Sequence, residues 1–397
     1  MPKLTNRINR LSPSATLAMS QKSSDMQAQG IDVINLSVGE PDFDTPLHIK
    51  DAGVSAIEHN FSRYSPVAGY ADLRKAIVNK LQRENGLTYS ANEIVVSNGA
   101  KQGVCNAVMS LVDHGEEVII PAPYWVSYPQ MVKLAGGEPV IVETSFEQGF
   151  KMTPRQLEDA ITPRTRLLIL CSPSNPTGSV YSQSELQALA EVIMRHEDLY
   201  VLSDEIYEHI NYTGSHASIV KVEGMRERCV LINGVSKAYA MTGWRIGYAA
   251  APLWLAQAMS KLQGQYTSGP CSVSQKAAEA AYLAEQDCVE EMRKAFEKRR
   301  DLIVQLACEI PGLEVNVPDG AFYLFPRCKH FFGKSHGGHT ISTSTELAMY
   351  LLETAHVATV GGDAFGTPDC IRLSYATHEG NIREAMRRIR QALAQLK

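Results

Sequence analysis

The sequence predicts an α/β protein: a large domain with a mostly parallel seven-stranded sheet wrapped by helices, plus a smaller α+β domain. Three observations predict it. Short apolar runs alternate with amphipathic stretches from about residue 50 to 280. Several of these runs are apolar on both faces, as strands buried between two layers must be. Beyond about residue 285 the pattern turns richer in helix. The large domain is expected over 46–285, and the small one over 1–45 together with 286–397.

Each element has its own signal. Residues 1–45 are mixed and rich in turn formers, ending in LSVGEPDFDTP. Leu73, Ala76, Ile77 and Leu81 fall on one helical face, and Gly86 follows as a stop. Seven apolar runs read as strands: EIVVSN (93–98), EVIIPAP (117–123), PVIVET (139–144), RLLILCSP (166–173), LYVLSDE (199–205), CVLING (229–234) and RIGYAA (245–250). Ser182 and Glu185 form a capping box ahead of a helix whose apolar face is Leu186, Leu189, Ala190 and Ile193. Strand alternating with helix implies helices on both faces of one sheet. In the small domain, AFYLF (321–325) and CIRLSYA (370–376) read as strands. The segment 329–345 reads as a surface loop before a helix capped by Thr343 and Glu346. Its His330, His336 and His339 are read as loop residues and not as metal ligands.

Composition excludes several functions. The chain has 397 residues, 44% of them hydrophobic, enough for a core without metal or disulfide staples. Lys and Arg number 38 against 43 Asp and Glu, a net charge of −5. A nucleic-acid binder would carry a basic excess instead. No apolar run approaches the ~18 residues that cross a bilayer, and the N-terminus lacks the continuous apolar stretch of a signal peptide. Eight cysteines are scattered without a CxxC pair, which fits a reducing compartment. A soluble cytoplasmic protein of enzyme size is expected.

The chemistry concentrates at four strand ends. Lys237 follows an apolar strand in NGVSKAYAMTGWRIGYAA (233–250), with Arg245 eight positions on. A lysine there can form a Schiff base with an aldehyde, which makes an electrophile. Asp204 ends the strand LYVL, where wound sheets bind ligands; its carboxylate can hold a pyridine nitrogen protonated. SPSNPTG (172–178) projects Asn175 from a turn set by Pro173 and Pro176. SNGAKQ (97–102) is a glycine-bearing turn opening a helix, whose free N–H groups suit a phosphate. It lacks the GxGxxG of dinucleotide folds and the GK[ST] of a P-loop. Taken singly, Lys237 is also a loop lysine, Asp204 a cap and SPSNPTG a turn. Together they make a pattern.

The motifs from PSAT (13–16) to RLSYAT (372–377) resemble a fold-type I pyridoxal-phosphate enzyme, specifically a class I aminotransferase of the aspartate aminotransferase family. They include GEPDFDTP (39–46), YSPVAGYADLR (64–74), PAPYWVSYP (121–129), SDEIYEH (203–209) and GAFY (320–323). The resemblance implies pyridoxal 5′-phosphate as cofactor. It makes Lys237 the Schiff-base lysine, Asp204 the partner of the ring nitrogen, and Tyr207 and Asn175 donors to the ring oxygen. Trp125 stacks on the ring. Ser236, Arg245 and the N–H groups of Ala100 and Lys101 hold the phosphate. Tyr64 reaches the phosphate of a partner subunit, so a homodimer is implied. Arg372 grips the substrate α-carboxylate with its planar fork, assisted by Gly39. Lys101 matches the branch's distal-carboxylate lysine, and Ser14 and Thr16 match substrate-binding polar residues of its mobile N-terminal segment. The implied reaction is L-aspartate with 2-oxoglutarate giving oxaloacetate and L-glutamate. Ala100 stands where close relatives often have Gly, and Ser12 where prephenate-using members have Lys; the latter weakens prephenate as a second substrate. Aromatic or alanine specificity are alternatives. A cofactor-binding regulator is a remote one, since only about 45 residues precede the wound domain and show no helix-turn-helix.

Overall fold

A computed structural model describes residues 4–397, and of His339 the backbone alone. Seven strands form the central sheet: β1 (Ile94–Asn98), β2 (Glu117–Ala122), β3 (Glu138–Glu143), β4 (Thr165–Cys171), β5 (Tyr200–Asp204), β6 (Cys229–Gly234) and β7 (Ile246–Ala250). Their order across the sheet is β1-β7-β6-β5-β4-β2-β3. β2 through β6 run parallel, while β7 is antiparallel to both its neighbours, β6 and β1. Only β7 is therefore reversed, and that reversal decides where Arg245 lies. The residue before β7 emerges at the same sheet edge as the residues after β1, β4, β5 and β6.

The strands hold because both faces are covered. One apolar cluster joins Ile119, Leu168, Val201 and Leu231 to helix residues such as Leu73, Leu189 and Ala278. The opposite cluster joins Val118, Leu167, Leu202 and Ile232 to Val104, Val108 and Leu255. Consecutive residues of each strand thus enter opposite layers, which explains runs without polar alternation. The helix Gln183–Ile193 starts on the capping box expected from Ser182 and Glu185, and buries Leu186, Leu189, Ala190 and Ile193.

A third cluster gathers residues 292–396 with Leu36, Tyr207 and Ile210. It packs the helices Asp287–Cys308, Ser344–Ala355 and Glu379–Leu393 on a small antiparallel sheet of Tyr323–Leu324, Ile371–Ser374 and Val360–Gly361. Tyr207 and Ile210 reach this cluster from the turn after β5, so the same turn serves both packing units.

Two segments differ from the sequence reading. The segment 329–345, expected as plain loop, carries a short hairpin that pairs Ser335 with Thr340 and His336 with His339. His330 contacts the Lys334 ammonium at 2.7 Å, His336 is exposed, and the side chain of His339 lies outside the described residues. The box of Thr343 and Glu346 then caps the helix as expected. The helix through Leu73 ends at Lys80, and a wider π-type turn, Leu81–Asn85, leads into Gly86 at φ +66°.

That turn has a cause. It brings Asn85 and the buried Lys80 ammonium together at 2.8 Å, and both bond the buried carboxylate of Glu208. Burial alone would raise the Glu208 carboxyl, but Lys80 and the nearby His209 and His216 rings outweigh it and hold it well below the ordinary range. Removing one partner strands a buried charge. Lys80→Ala is expected to cost about 3–5 kcal/mol in denaturant unfolding at neutral pH. Glu208 contributes stability above the ordinary carboxylate pKa and loses it as pH falls, so the variant should also lose part of the wild-type acid dependence.

Candidate active site

The carboxyl edge of the sheet opens on a cavity of about 340 Å³. β1 hands over to the helix Gly99–Leu111, so Ala100 and Lys101 lie in its first turn, where backbone N–H groups have no intrahelical acceptor. Gly99 sits at φ +71°, and a Cβ there would fall 2.4 Å from Arg245 Nη2. The glycine is what lets the guanidinium close over the turn. Gly247 is equally constrained, since its Cβ would lie 2.2 Å from the Ala100 nitrogen. After β4, cis peptides at Ser172–Pro173 and Asn175–Pro176 shape the turn that presents Asn175. Asp204, last in β5, is paired in register with Cys171 of β4. Ser236 and Lys237 follow β6 directly.

Four cations line the cavity: Lys101, Lys237, Arg245 and Arg372; Asp204 is the one acidic residue among its lining residues. Among the described residues, none of the four cations forms an ion pair. Lys237 Nζ donates to the Gly39 carbonyl at 2.7 Å. Burial pulls its pKa down to about 8, helped by Arg245 and Arg372 and opposed by Glu40 and Asp204. Arg372 is buried; Nη1 donates to Asn175 Oδ1 at 2.9 Å and Nη2 to the Ser37 carbonyl at 2.6 Å, while Nε has no partner among the described residues. Asn175 thereby uses its oxygen on Arg372 and keeps its NH2 for the cavity. Lys101 lies 4.9 Å over the Trp125 ring; burial and the nearby Arg245 lower its pKa. Asp204 accepts from Tyr128 Oη at 2.7 Å and from the Ile206 N–H at 3.3 Å. These donors and Lys237 only partly offset burial, which raises its carboxyl to about 6.

The family model described as aminotransferase class I and II matches residues 31–389. The chain belongs to this family. It is an aminotransferase. It is 48% identical to the bifunctional aspartate aminotransferase and glutamate/aspartate-prephenate aminotransferase of Petunia hybrida, covering 99% of this chain and 83% of that one. It is 48% identical to a probable aspartate/prephenate aminotransferase of Rhizobium leguminosarum bv. phaseoli over 98% of each. The crystal structure of the aspartate aminotransferase from Rhizobium meliloti superposes with a TM-score of 0.96 at 45% identity, over the full length of both.

All but one of the aminotransferase residues singled out from the sequence line the cavity. Ser14, which caps the helix Ala15–Ala28, and Thr16 lie on its wall beside Gly39, Trp125, Ser236 and Tyr207. The exception is Tyr64, which is wholly exposed in this chain and lies apart from the cavity. Sequence reasoning gave no role to Tyr128, Tyr323 or Ser37. Tyr128, in the quoted PAPYWVSYP, sits three residues after Trp125, and its ring packs edge-on against Trp125. A tyrosine on an apolar helix face reads as core; its hydroxyl on Asp204 is visible only once β5 arrives.

The raised Asp204 carboxyl gives a signed expectation for the ligand-free protein. Between pH 4 and 6 the unfolded chain loses this proton first, so the folded state loses stability as pH rises through that window. Asp204→Asn should remove the effect. In urea unfolding without cofactor, the variant is expected to gain about 2–3 kcal/mol on wild type between pH 4 and pH 7. Parallel pH curves for the two proteins would contradict this.

Proposed function

We propose that this aminotransferase moves the amino group of L-aspartate to 2-oxoglutarate with pyridoxal 5′-phosphate, giving oxaloacetate and L-glutamate. The observation that carries the reading is the charge pattern: four cations without ion-pair partners among the described residues, around one buried carboxylate. Such a cavity suits a phosphate, two carboxylates and one protonated ring nitrogen.

The residues fit the cofactor. Asp204 is a buried carboxylate with neutral donors only, and a protonated heterocycle nitrogen would be its charge partner. Arg245, Ser236 and the first-turn N–H groups at Ala100 and Lys101 would take the phosphate at a helix N-terminus. Trp125 would cover the ring, and Asn175 and Tyr207 would donate to its oxygen. When bound, pyridoxal phosphate supplies a carbon that accepts the amino group and a ring that draws charge away from the substrate Cα.

The chain's own groups do the rest. Lys237, with its pKa lowered by burial to about 8, is partly free base near neutral pH, so Nζ could take the proton from the substrate Cα and deliver it to the carbon that would hold the amino nitrogen. Arg372 has spent two of its five N–H groups on Asn175 and Ser37, and the others can grip the α-carboxylate. That grip fixes which Cα bond faces Lys237. Lys101, near Ser14 and Thr16, would pair with the distal carboxylate of a four- or five-carbon diacid. Prephenate is a second diacid substrate to consider, because two of the relatives are also named for it.

A homodimer belongs to the proposal. Leu47, Val54 and Ile57 form an exposed apolar stripe on the helix Leu47–Glu58, and Tyr64 and Tyr266 are also exposed. Tyr64 would then reach the partner's phosphate. Light scattering is expected to give twice the 43.6 kDa chain mass; a monomer at working concentration would contradict it.

Half-reactions with aspartate, glutamate, prephenate and phenylalanine test the substrates. Aspartate and glutamate should convert the cofactor fastest. An inert aspartate beside a fast aromatic donor would overturn the assignment. Lys237→Ala should abolish turnover, and Arg372→Lys should raise KM for aspartate at least about tenfold by losing the two-pronged grip.

A further inference from the structure

Tyr323 lines the cavity and has no assigned task. It lies on the strand Tyr323–Leu324, opposite Ser374 of the antiparallel strand Ile371–Ser374. Arg372 is two residues before Ser374 and so projects on the same face. The Arg372 guanidinium carbon lies 4.6 Å from the centre of the Tyr323 ring and 4.9 Å from that of Phe365. Two ring faces thus hold the fork flat. At its other end, the Tyr323 hydroxyl is 2.8 Å from the Tyr207 hydroxyl. A Cβ at position 39 would fall 1.9 Å from that same oxygen, so the hydroxyl occupies the space a side chain there would need. The residue is buried.

A hydroxyl has one proton. If Tyr207 donated to Tyr323, it would have nothing left for a ligand. If Tyr323 donates, the Tyr207 proton is free to face the cavity, and the chained bonds reinforce each other. An anionic ligand oxygen in the cavity selects the second direction. We propose that Tyr323 is a positioning residue: its hydroxyl donates to Tyr207 and aims the Tyr207 proton into the cavity, while its ring holds Arg372 for the substrate carboxylate. The inference rests on the cofactor reading above, and it goes further by giving one residue control of both the ring-oxygen donor and the carboxylate grip.

The test uses the enzyme loaded with pyridoxal 5′-phosphate and reads the pH midpoint of the cofactor absorbance. Donation by Tyr207 to an anionic ring oxygen favours the deprotonated form at Lys237, so weakening that donation raises the midpoint. The groups facing Lys237 Nζ are Glu40, Asp204, Arg245 and Arg372; Tyr207 also faces Cys171 and Arg372. Tyr323→Phe changes none of them. It is expected to raise the midpoint by about half a pH unit or more and to lower kcat more than it raises KM. Because the ring remains, succinate affinity should stay within about twofold, whereas Tyr323→Leu should weaken succinate by about tenfold. Tyr207→Phe should raise the midpoint too, and the double variant Tyr207→Phe/Tyr323→Phe should add nothing beyond it.

A Tyr323→Phe midpoint equal to wild type overturns the inference, as do additive shifts in the double variant. Equal loss of succinate binding in the Phe and Leu variants overturns the role of the ring. These outcomes leave the cofactor reading standing. A wild-type protein that acquires no absorbance band with pyridoxal 5′-phosphate overturns that reading and this inference together.

Discussion

The site depends on unbalanced charge. Lys101, Lys237, Arg245 and Arg372 converge on one cavity with Asp204 as the single acidic lining residue. Burying a cation without a partner is costly, and a stable core would pair Arg372 with a carboxylate. The chain instead gives that guanidinium two neutral acceptors and two aromatic faces. The attraction is thus reserved for ligands that bring their own negative charge. Lys237 shows the same constraint in its proton affinity: burial, with two neighbouring guanidinium groups, lowers the amine's pKa to about 8.

The fold delivers this arrangement through strand direction. Parallel strands end at one edge, which is why Asn175, Asp204 and Lys237 meet although each follows a different strand. The single reversed strand, β7, adds Arg245 from its leading end. The glycines at 99 and 247 then let the β1 turn and the β7 lead-in approach to van der Waals limits. The turn after β5 links the two packing units. Tyr207 enters the cavity and the second core, while Glu208 anchors the turn's other side on buried Lys80.

Much of this was legible in the chain. Apolar runs ending in Asp204, or just before Lys237, mark strand ends because no buried strand continues through a charge. The capping boxes at Ser182 and Thr343 were readable from side chains three residues apart. Other features were silent. An all-apolar strand carries no sign of its direction, so the reversal of β7 could not be read. Lys80 looks like one more polar residue on an amphipathic helix until Glu208 meets it. Tyr128 and Tyr323 look like core aromatics because their hydroxyl partners, Asp204 and Tyr207, come from distant segments. Gly39 was read as assisting the carboxylate grip; its absent side chain also makes room for the Tyr323 hydroxyl.

The proposed cofactor, joined to Lys237, would sit at the centre of this imbalance of charge. The most direct measurement is borohydride reduction of the enzyme loaded with pyridoxal 5′-phosphate, followed by peptide mass mapping. The added cofactor mass is expected on Lys237 and on no other lysine. Modification of Lys101 in its place, or no adduct at all, would contradict this.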